Sequence, residues 1–356
     1  MHFSDGTIPV EYKRYISWKV GLVVLLAGLL VTSLVVAVSL GAAGIPLDEV
    51  AKSLLGGAVS RRHDVIIWNI RLPQALTAIV GGAGLAVAGT AMQSILRNPL
   101  GSPFTLGISH AAAFGAAFSV MILGGGIMTS ANADTINITS PFITTVVAFS
   151  FSLAAAGVII GVSRLRGATP EVMVLTGVAL GALFTAGTMF LQYFADDVQL
   201  AAIVFWSFGD TARASWSELG VITAVTVGAS VFFLGNSWNY NAIDAGDETA
   251  RGLGVRVERV RMVGMLLATL VTAVIIAFLG IIGFVGLVVP HMARRVIGSD
   301  HRFLLPASIL GGGLLLIVSD TAARLVLAPH VLPVSVLTAF MGAPIFIYLI
   351  IRGQRR

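Results

Sequence analysis

Long stretches free of Asp, Glu, Lys and Arg dominate the chain. They cover residues 20–38 and beyond, 72–96, 103–133, 135–163, 172–195, 219–243, 262–293, 303–319 and 325–351. A helix crossing the hydrocarbon core needs about 20 apolar residues. Each stretch is therefore read as at least one span, and no segment is left for a soluble domain of ordinary size. The 32 residues of 262–293 would run about 48 Å as one straight helix, too long for a core of about 30 Å. Gly280, Gly283 and Gly286 weaken helix continuity there. A break near 280–283 gives ten spans, and the chain is read as all-α and polytopic, one transmembrane domain over 1–356.

Charge placement supports the break. Ten spans put both termini on one face, with 16 of the 22 Lys and Arg residues; the other face holds Lys52, Arg61, Arg62, Arg71, Arg213 and Arg324. Nine spans would divide them 11 to 11. The excess of basic residues marks the cytoplasmic side, so both ends are expected there. The polar segment 1–19 has no convincing cleavage site after it, and the first apolar run is read as a retained span.

Three connections are long enough to hold structure. The outer loop 41–69 carries Pro46, Asp48–Glu49 and Arg61–Arg62. The outer loop 196–216 encloses the apolar piece 201–208, which suggests a short surface helix. The inner loop 239–261 reads NYNAIDAGDETARGLGVRVERVR, whose mixed polarity and glycine breaks predict two short amphipathic helices joined by a turn. Segment 124–140 reads as a plain outer turn, and its Asn137-Ile138-Thr139 triplet as a chance glycosylation pattern. Gly177-x-x-x-Gly181, 81–84 and 311–313 are close-approach patterns of a densely packed bundle, with a glycine-lined substrate path as the alternative.

Composition narrows the chemistry. Hydrophobic residues make up 56% and charged ones 11%, where a soluble domain carries about 25% charged. With a mean hydropathy of +0.94, this excludes a soluble enzyme, a disordered chain and a nucleic-acid binder, despite a net charge of +5. There is no cysteine, no G-x-x-x-x-G-K-[ST] loop and no His-x-x-x-His spacing. The chain is expected to hold no catalytic set, no metal and no nucleotide of its own. Asp320 is the one acidic residue well inside an apolar run, four residues before Arg324. On one helical face the two can pair, or serve an ion-coupled secondary carrier.

Three strings go further: IRLPQALTAIVGGAGLAVAGTAMQSILRNPLGSPFTLGIS at 70–109, GDETARGLGV at 246–255, and GIIGFVGLVVPHMARRVIGSDHRFLLP at 280–306 with SDTAARLVLA and LPVSVLTAFMGAPIFIYLI beyond it. Together they resemble the permease subunit of type II ABC importers, the FecCD/BtuC-like family that takes up iron–siderophore, haem and cobalamin. The resemblance covers nearly everything beyond Trp18. It implies a homodimer around a central path in the cell membrane. Two ATPase subunits, which carry the ATP and Mg, dock on its cytoplasmic face, and an extracytoplasmic binding protein delivers the cargo.

Residue by residue, the resemblance makes Arg71 and Arg324 the outward arginines that receive acidic residues of the binding protein. The alternatives are a helix-end anchor for Arg71 and a partner to Asp320 for Arg324. Relatives often carry a second arginine where Gln74 stands here; Arg61 and Arg62 are candidates to supply that charge. The ATPase-coupling residues would be Gly246, Asp247, Glu248, Thr249, Ala250, Arg251, Gly252, Leu253 and Gly254. Asn98 and Leu100, with Thr169 and Pro170 as a less close match, would form the cytoplasmic gate; in each case an ordinary turn is the alternative. An iron(III)–siderophore is the expected cargo, with haem or cobalamin beside it.

Overall fold

The computed structural model describes residues 10–41, 44–57, 59–124, 141–328 and 330–353. The expected turn at 124–140 with its Asn137 triplet lies outside them apart from Gly124, as do both chain ends. Fifteen α-helices follow in order: α1 (Val10–Ser39), α2 (Leu47–Leu54), α3 (Arg61–Ile66), α4 (Leu72–Ile95), α5 (Ile108–Ile122), α6 (Pro141–Arg166), α7 (Pro170–Tyr193), α8 (Asp197–Ser207), α9 (Trp216–Gly235), α10 (Ser237–Asp244), α11 (Asp247–Gly252), α12 (Val257–Leu279), α13 (Val285–Ile297), α14 (His301–Leu325) and α15 (Val334–Gly353). Among the described residues, the one β-type contact outside helices is the isolated bridge Phe208–Ile281.

Among the described residues, seven helices are long and apolar enough to cross a membrane: α1, the continuous α3–α4 rod, α6, α7, α9, α12 and α14. The remaining three expected spans fall on α5, α13 and α15. The break expected within 262–293 is real. α12 ends at Leu279, Gly280 follows at φ +80°, and α13 starts at Val285. Phe284, just before α13, also has positive φ, +67°.

α4 is the axis of the bundle. It is buried almost throughout its length and packs against α9, α12, α13 and α14. Its Gly and Ala residues explain this: small side chains let neighbouring backbones approach, which is the main source of helix association in lipid. A Cβ built on Gly82 would lie 2.2 Å from the Gly312 carbonyl oxygen, and one on Gly89 only 1.7 Å from that of Gly286. Two of the glycine clusters therefore meet each other, at the α4–α14 crossing. Where α3 runs into α4, a π-turn spans Ile67–Arg71. Pro73, two residues beyond it, has no N–H for the ladder and its ring crowds the preceding turn, which an extra residue in that turn relieves.

α5 and α13 have 15 and 13 residues, about 22 and 20 Å of helix. Each is preceded by non-helical backbone, 96–107 before α5 and 280–284 before α13. Gly107 (φ +78°) packs on Gly177 and Gly181, and Gly177 lies about 10 Å into α7. Irregular backbone at that depth needs protein around it or a wet cavity beside it. Here Ser102 and Thr105 satisfy it locally, each hydroxyl accepting the other residue's N–H at 3.0 and 3.2 Å. The Gly177/Gly181 motif thus receives a turn, where the sequence pattern alone suggests a second helix.

Candidate functional site

Functional candidates fall at two ends of the bundle. At the end where α1 finishes and α4 begins, α1 has no basic residue in its last turn. Its terminal carbonyls lack helical partners. Two distant arginines supply them. Arg71 donates from Nη1 to Val38 O (2.9 Å) and Ser39 O (2.7 Å). Arg324 reaches Ala37 O and Leu40 O at 3.3 and 3.4 Å. A cation at a helix C-terminus is also favoured by the macrodipole. Arg71 is only 5% exposed and caps the end of α1. Arg324 is half-buried and lies 3.2 Å from Asp320, its Nε–H off line, so that the pair is Coulombic rather than an aligned hydrogen bond.

Asp320 is fully engaged. Besides Arg324 it accepts from Gln74 Nε2 at 3.0 Å and from the Thr211 hydroxyl. Gln74, which departs from the arginine of relatives, is buried against this carboxylate. Arg61, Arg62, Lys52 and Arg213 are exposed at this end, and Lys52 pairs with Asp48 at 3.0 Å. Around them the loop 41–69 folds as two short helices, α2 and α3, tied by His63–Glu49, by Ser53 donating to Asp64 at 2.6 Å, and by Trp68 donating to Ser53 at 3.1 Å. The surface helix expected in 196–216 is α8. Its exposed C-terminal carbonyls are met by Arg213, which donates to Phe205, Trp206 and Phe208 oxygens at 2.6 to 3.0 Å.

At the opposite, arginine-rich end, the loop 239–261 contains two short helices, α10 and α11, as its pattern predicts. Glu248, Thr249, Arg251, Gly252, Leu253 and Gly254 present an exposed surface, with Leu253 71% exposed. Ala250 points inward with Ala242, Ile243 and Val257, and Gly246 makes the bend at φ +116°. The helix pair is bolted down by charge. Asp244 pairs with Arg294 at 3.0 Å. Asn241 donates to Asp300 and accepts from the His301 backbone, at 3.0 and 2.8 Å. His301 in turn contacts Ser94 of α4 at 2.9 Å. Asp247 takes a bidentate grip from Arg261, at 2.7 and 2.9 Å. Hydrogen bonds from Arg261 hold the Asp247 carboxyl below its ordinary value. Burial works against ionisation of Asp300, but hydrogen bonds from Arg302 and Asn241 outweigh it and bring that group to about 2.

The gate candidates occupy tight turns at this end. Asn98 accepts the Leu100 N–H through Oδ1 at 2.9 Å, and Leu100 is exposed. Thr169 is the N-cap of α7, accepting from Val172 N–H at 3.4 Å, with Pro170 as the first helical residue. That is a start signal with a local physical reason. Beyond Asn98 the irregular segment lines a cavity of about 180 Å³ with Ser109, Thr272 and Phe284, smaller than the ~300–1,000 Å³ of ordinary small-molecule sites. Arg261 was not singled out from sequence. Its signal was an arginine directly before the apolar stretch 262–293.

Comparison with known proteins identifies the family. Residues 29–352 match the FecCD transport family. The ABC transporter permease protein MJ0087 of Methanocaldococcus jannaschii is 49% identical over 351 residues, 98% of this chain and 99% of that protein. The hemin transport system permease protein HmuU of Yersinia pestis is 37% identical over 291 residues, 82% of this chain and 84% of that one. A solved chain described as an inward-facing metal-chelate type ABC transporter superposes with a TM-score of 0.78 at 29% identity, covering 93% of this chain and 99% of its own. This multi-pass membrane protein therefore belongs to the FecCD transport family, as the permease component of an ABC importer.

Proposed function

We propose that the chain forms, with a second copy of itself, the conduit of an importer for a metal chelate in the cell membrane, with both termini cytoplasmic and ten crossings per copy. An iron(III)–siderophore is the proposed cargo; haem, the cargo named for the Yersinia pestis relative, and cobalamin are the alternatives. ATP is hydrolysed on separate ATPase subunits that grip the exposed face of α10–α11. The observation that carries this reading is that face: charged and partly apolar, rigidly braced from within, at the end that holds most of the arginines. A groove-seeking helix face of this kind suits a docked partner. The small single-chain cavity fits a path completed by two copies.

An extracytoplasmic binding protein is proposed to deliver the cargo at the opposite end, using Arg324 together with Arg61 and Arg62. Arg–carboxylate contacts there would give direction and speed the encounter. Arg61→Glu with Arg62→Glu is expected to weaken docking about tenfold at low salt, the equivalent of about 1.4 kcal/mol, without changing the amount of folded permease. Surface plasmon resonance against the immobilised binding protein reads this, and unchanged affinity would remove these two residues from the contact. Arg71→Glu is expected to lower the yield of folded protein instead, because it strips the cap from α1.

Reconstitution tests the whole reading. Vesicles containing the permease, the ATPase and the binding protein should accumulate one of ferrichrome, hemin or cyanocobalamin with internal ATP and not without the ATPase. Accumulation driven by a proton gradient alone would favour an ion-coupled carrier centred on Asp320–Arg324.

A further inference from the structure

The exposed face of α11 explains how a partner could grip the chain, not how movement there reaches the path. Asp247, at the first position of α11, faces inward. Its two oxygens are held by Arg261 of α12, which is 2% exposed, and Arg261 Nε also donates to Ile95 O at 2.9 Å. Ile95 is the last residue of α4, the axis of the bundle. Two residues on, Arg97 adopts φ +45°, a backbone region that non-glycine residues seldom occupy. Its guanidinium lies 3.8 Å from the same Asp247 carboxylate. One charge cluster thus joins the coupling helix to the end of α4 and the 97–101 turn.

α10 is anchored by a different set of residues. Its bonds run to Arg294 of α13 and to Asp300 and His301 at the start of α14. Because His301 also meets Ser94 of α4 at 2.9 Å, both short helices reach the end of α4, α10 through His301 and α11 through Arg261. A shift of α11 must either carry Arg261 and the α4 terminus with it or separate a bidentate pair whose arginine is buried. The second course is strongly disfavoured, because it strands a charge away from water. Paired Arg–carboxylate bonds also fix direction as well as distance, so the link transmits rotation as well as displacement.

We propose that Arg97, Asp247 and Arg261 form an internal charge joint that passes movement of α11 to the 97–101 turn, with Arg261 as a positioning residue of the cytoplasmic gate. The proposal rests on the importer reading and adds to it the path by which the grip of the ATPase opens and closes this turn. Asp247 is then a strut inside the permease, and the surface that meets the ATPase is formed by its neighbours Glu248, Thr249, Arg251 and Leu253.

The chain has no cysteine, so Leu100→Cys provides a single reporter thiol in the permease. The test uses the complete transporter with its ATPase in lipid nanodiscs. It follows the rate at which a membrane-impermeant maleimide labels that thiol, with and without Mg and a non-hydrolysable ATP analogue. With the joint intact, nucleotide should change the rate about fivefold or more, and in Arg261→Gln or Arg97→Ala the change should fall within about twofold while the ATPase still co-purifies. Arg261→Lys, which keeps the charge and loses the paired geometry, should lie between. Arg97 is exposed, so Arg97→Ala decides the matter if Arg261→Gln does not fold. A full nucleotide response in Arg97→Ala and in any folded Arg261→Gln overturns the joint. So does loss of the ATPase from Arg97→Ala, which would make the cluster part of the docking surface. Absence of any response with the joint intact removes the gate at Leu100, and the joint with it; failure of the unmodified chain to bind an ATPase refutes the importer reading itself.

Discussion

Alanine at Gly89 is expected to force α13 away from α4 and to lower stability by about 3 kcal/mol, the upper end of the cost of overpacking a tight interior. The reason is geometric. The added Cβ would sit 1.7 Å from the Gly286 carbonyl oxygen, and backbone at a helix crossing has no rotamer to yield. The reciprocal contact is tight too, since a Cβ on Gly286 would approach Leu85 O at 2.7 Å. Gly157→Ala on α6 is the control: nothing lies within 4 Å of its Cβ, and alanine is the better helix former by about 1 kcal/mol. Thermal unfolding in detergent, followed by size-exclusion of the monodisperse fraction, should show a large fall in midpoint for Gly89→Ala and none for Gly157→Ala. Equal midpoints would mean that the α4–α13 contact is not a determinant of the fold.

The second large effect is expected at Asp320. Asp320→Ala should cost about 3–5 kcal/mol, the range for removing one partner of a buried ion pair. Asp320 is 3% exposed and is shared by Arg324, Gln74 and Thr211. Its loss leaves a cation and two polar groups without their acceptor, next to the cap of α1. Asp320→Asn keeps an oxygen acceptor and should cost much less. The same pair of variants separates the two transport readings. If the carboxylate is structural, Asp320→Asn retains ATP-driven uptake in proportion to folded protein. If it carries a proton, Asp320→Asn abolishes uptake while the protein stays folded. The surrounding bonds favour the structural role, because a carboxylate that cycles protons must be released from its partners at some point.

Residue-level roles at the outer end show where local pattern and tertiary context part. RLP and D-x-x-A-R are visible as strings, and the resemblance assigns both arginines to docking. In the folded chain Arg71 lies over carbonyls 32 and 33 positions earlier, and Arg324 over carbonyls 284 and 287 positions earlier. No window on the sequence contains both partners of such a contact. The same holds for Gln74, whose partner Asp320 is 246 residues away. At the inner end, the string at 246–254 was legible as one surface. Its inward half, Asp247 and Ala250, separated from its outward half only once α12 was in place.

The sequence by itself determined the helical, membrane-spanning class, the break at Gly280, the two short helices between α9 and α12, and the family. These depend on runs of apolar residues, on helix-breaking glycines and on contiguous strings, all of which act over one or two turns of backbone. Tertiary structure alone decided that Arg71 and Arg324 cap α1, that Gly177 and Gly181 seat a turn, and that Arg261 joins α11 to the axis helix. An arginine in an apolar protein has to find oxygen acceptors, and which carbonyl or carboxylate it finds is set by how the helices cross.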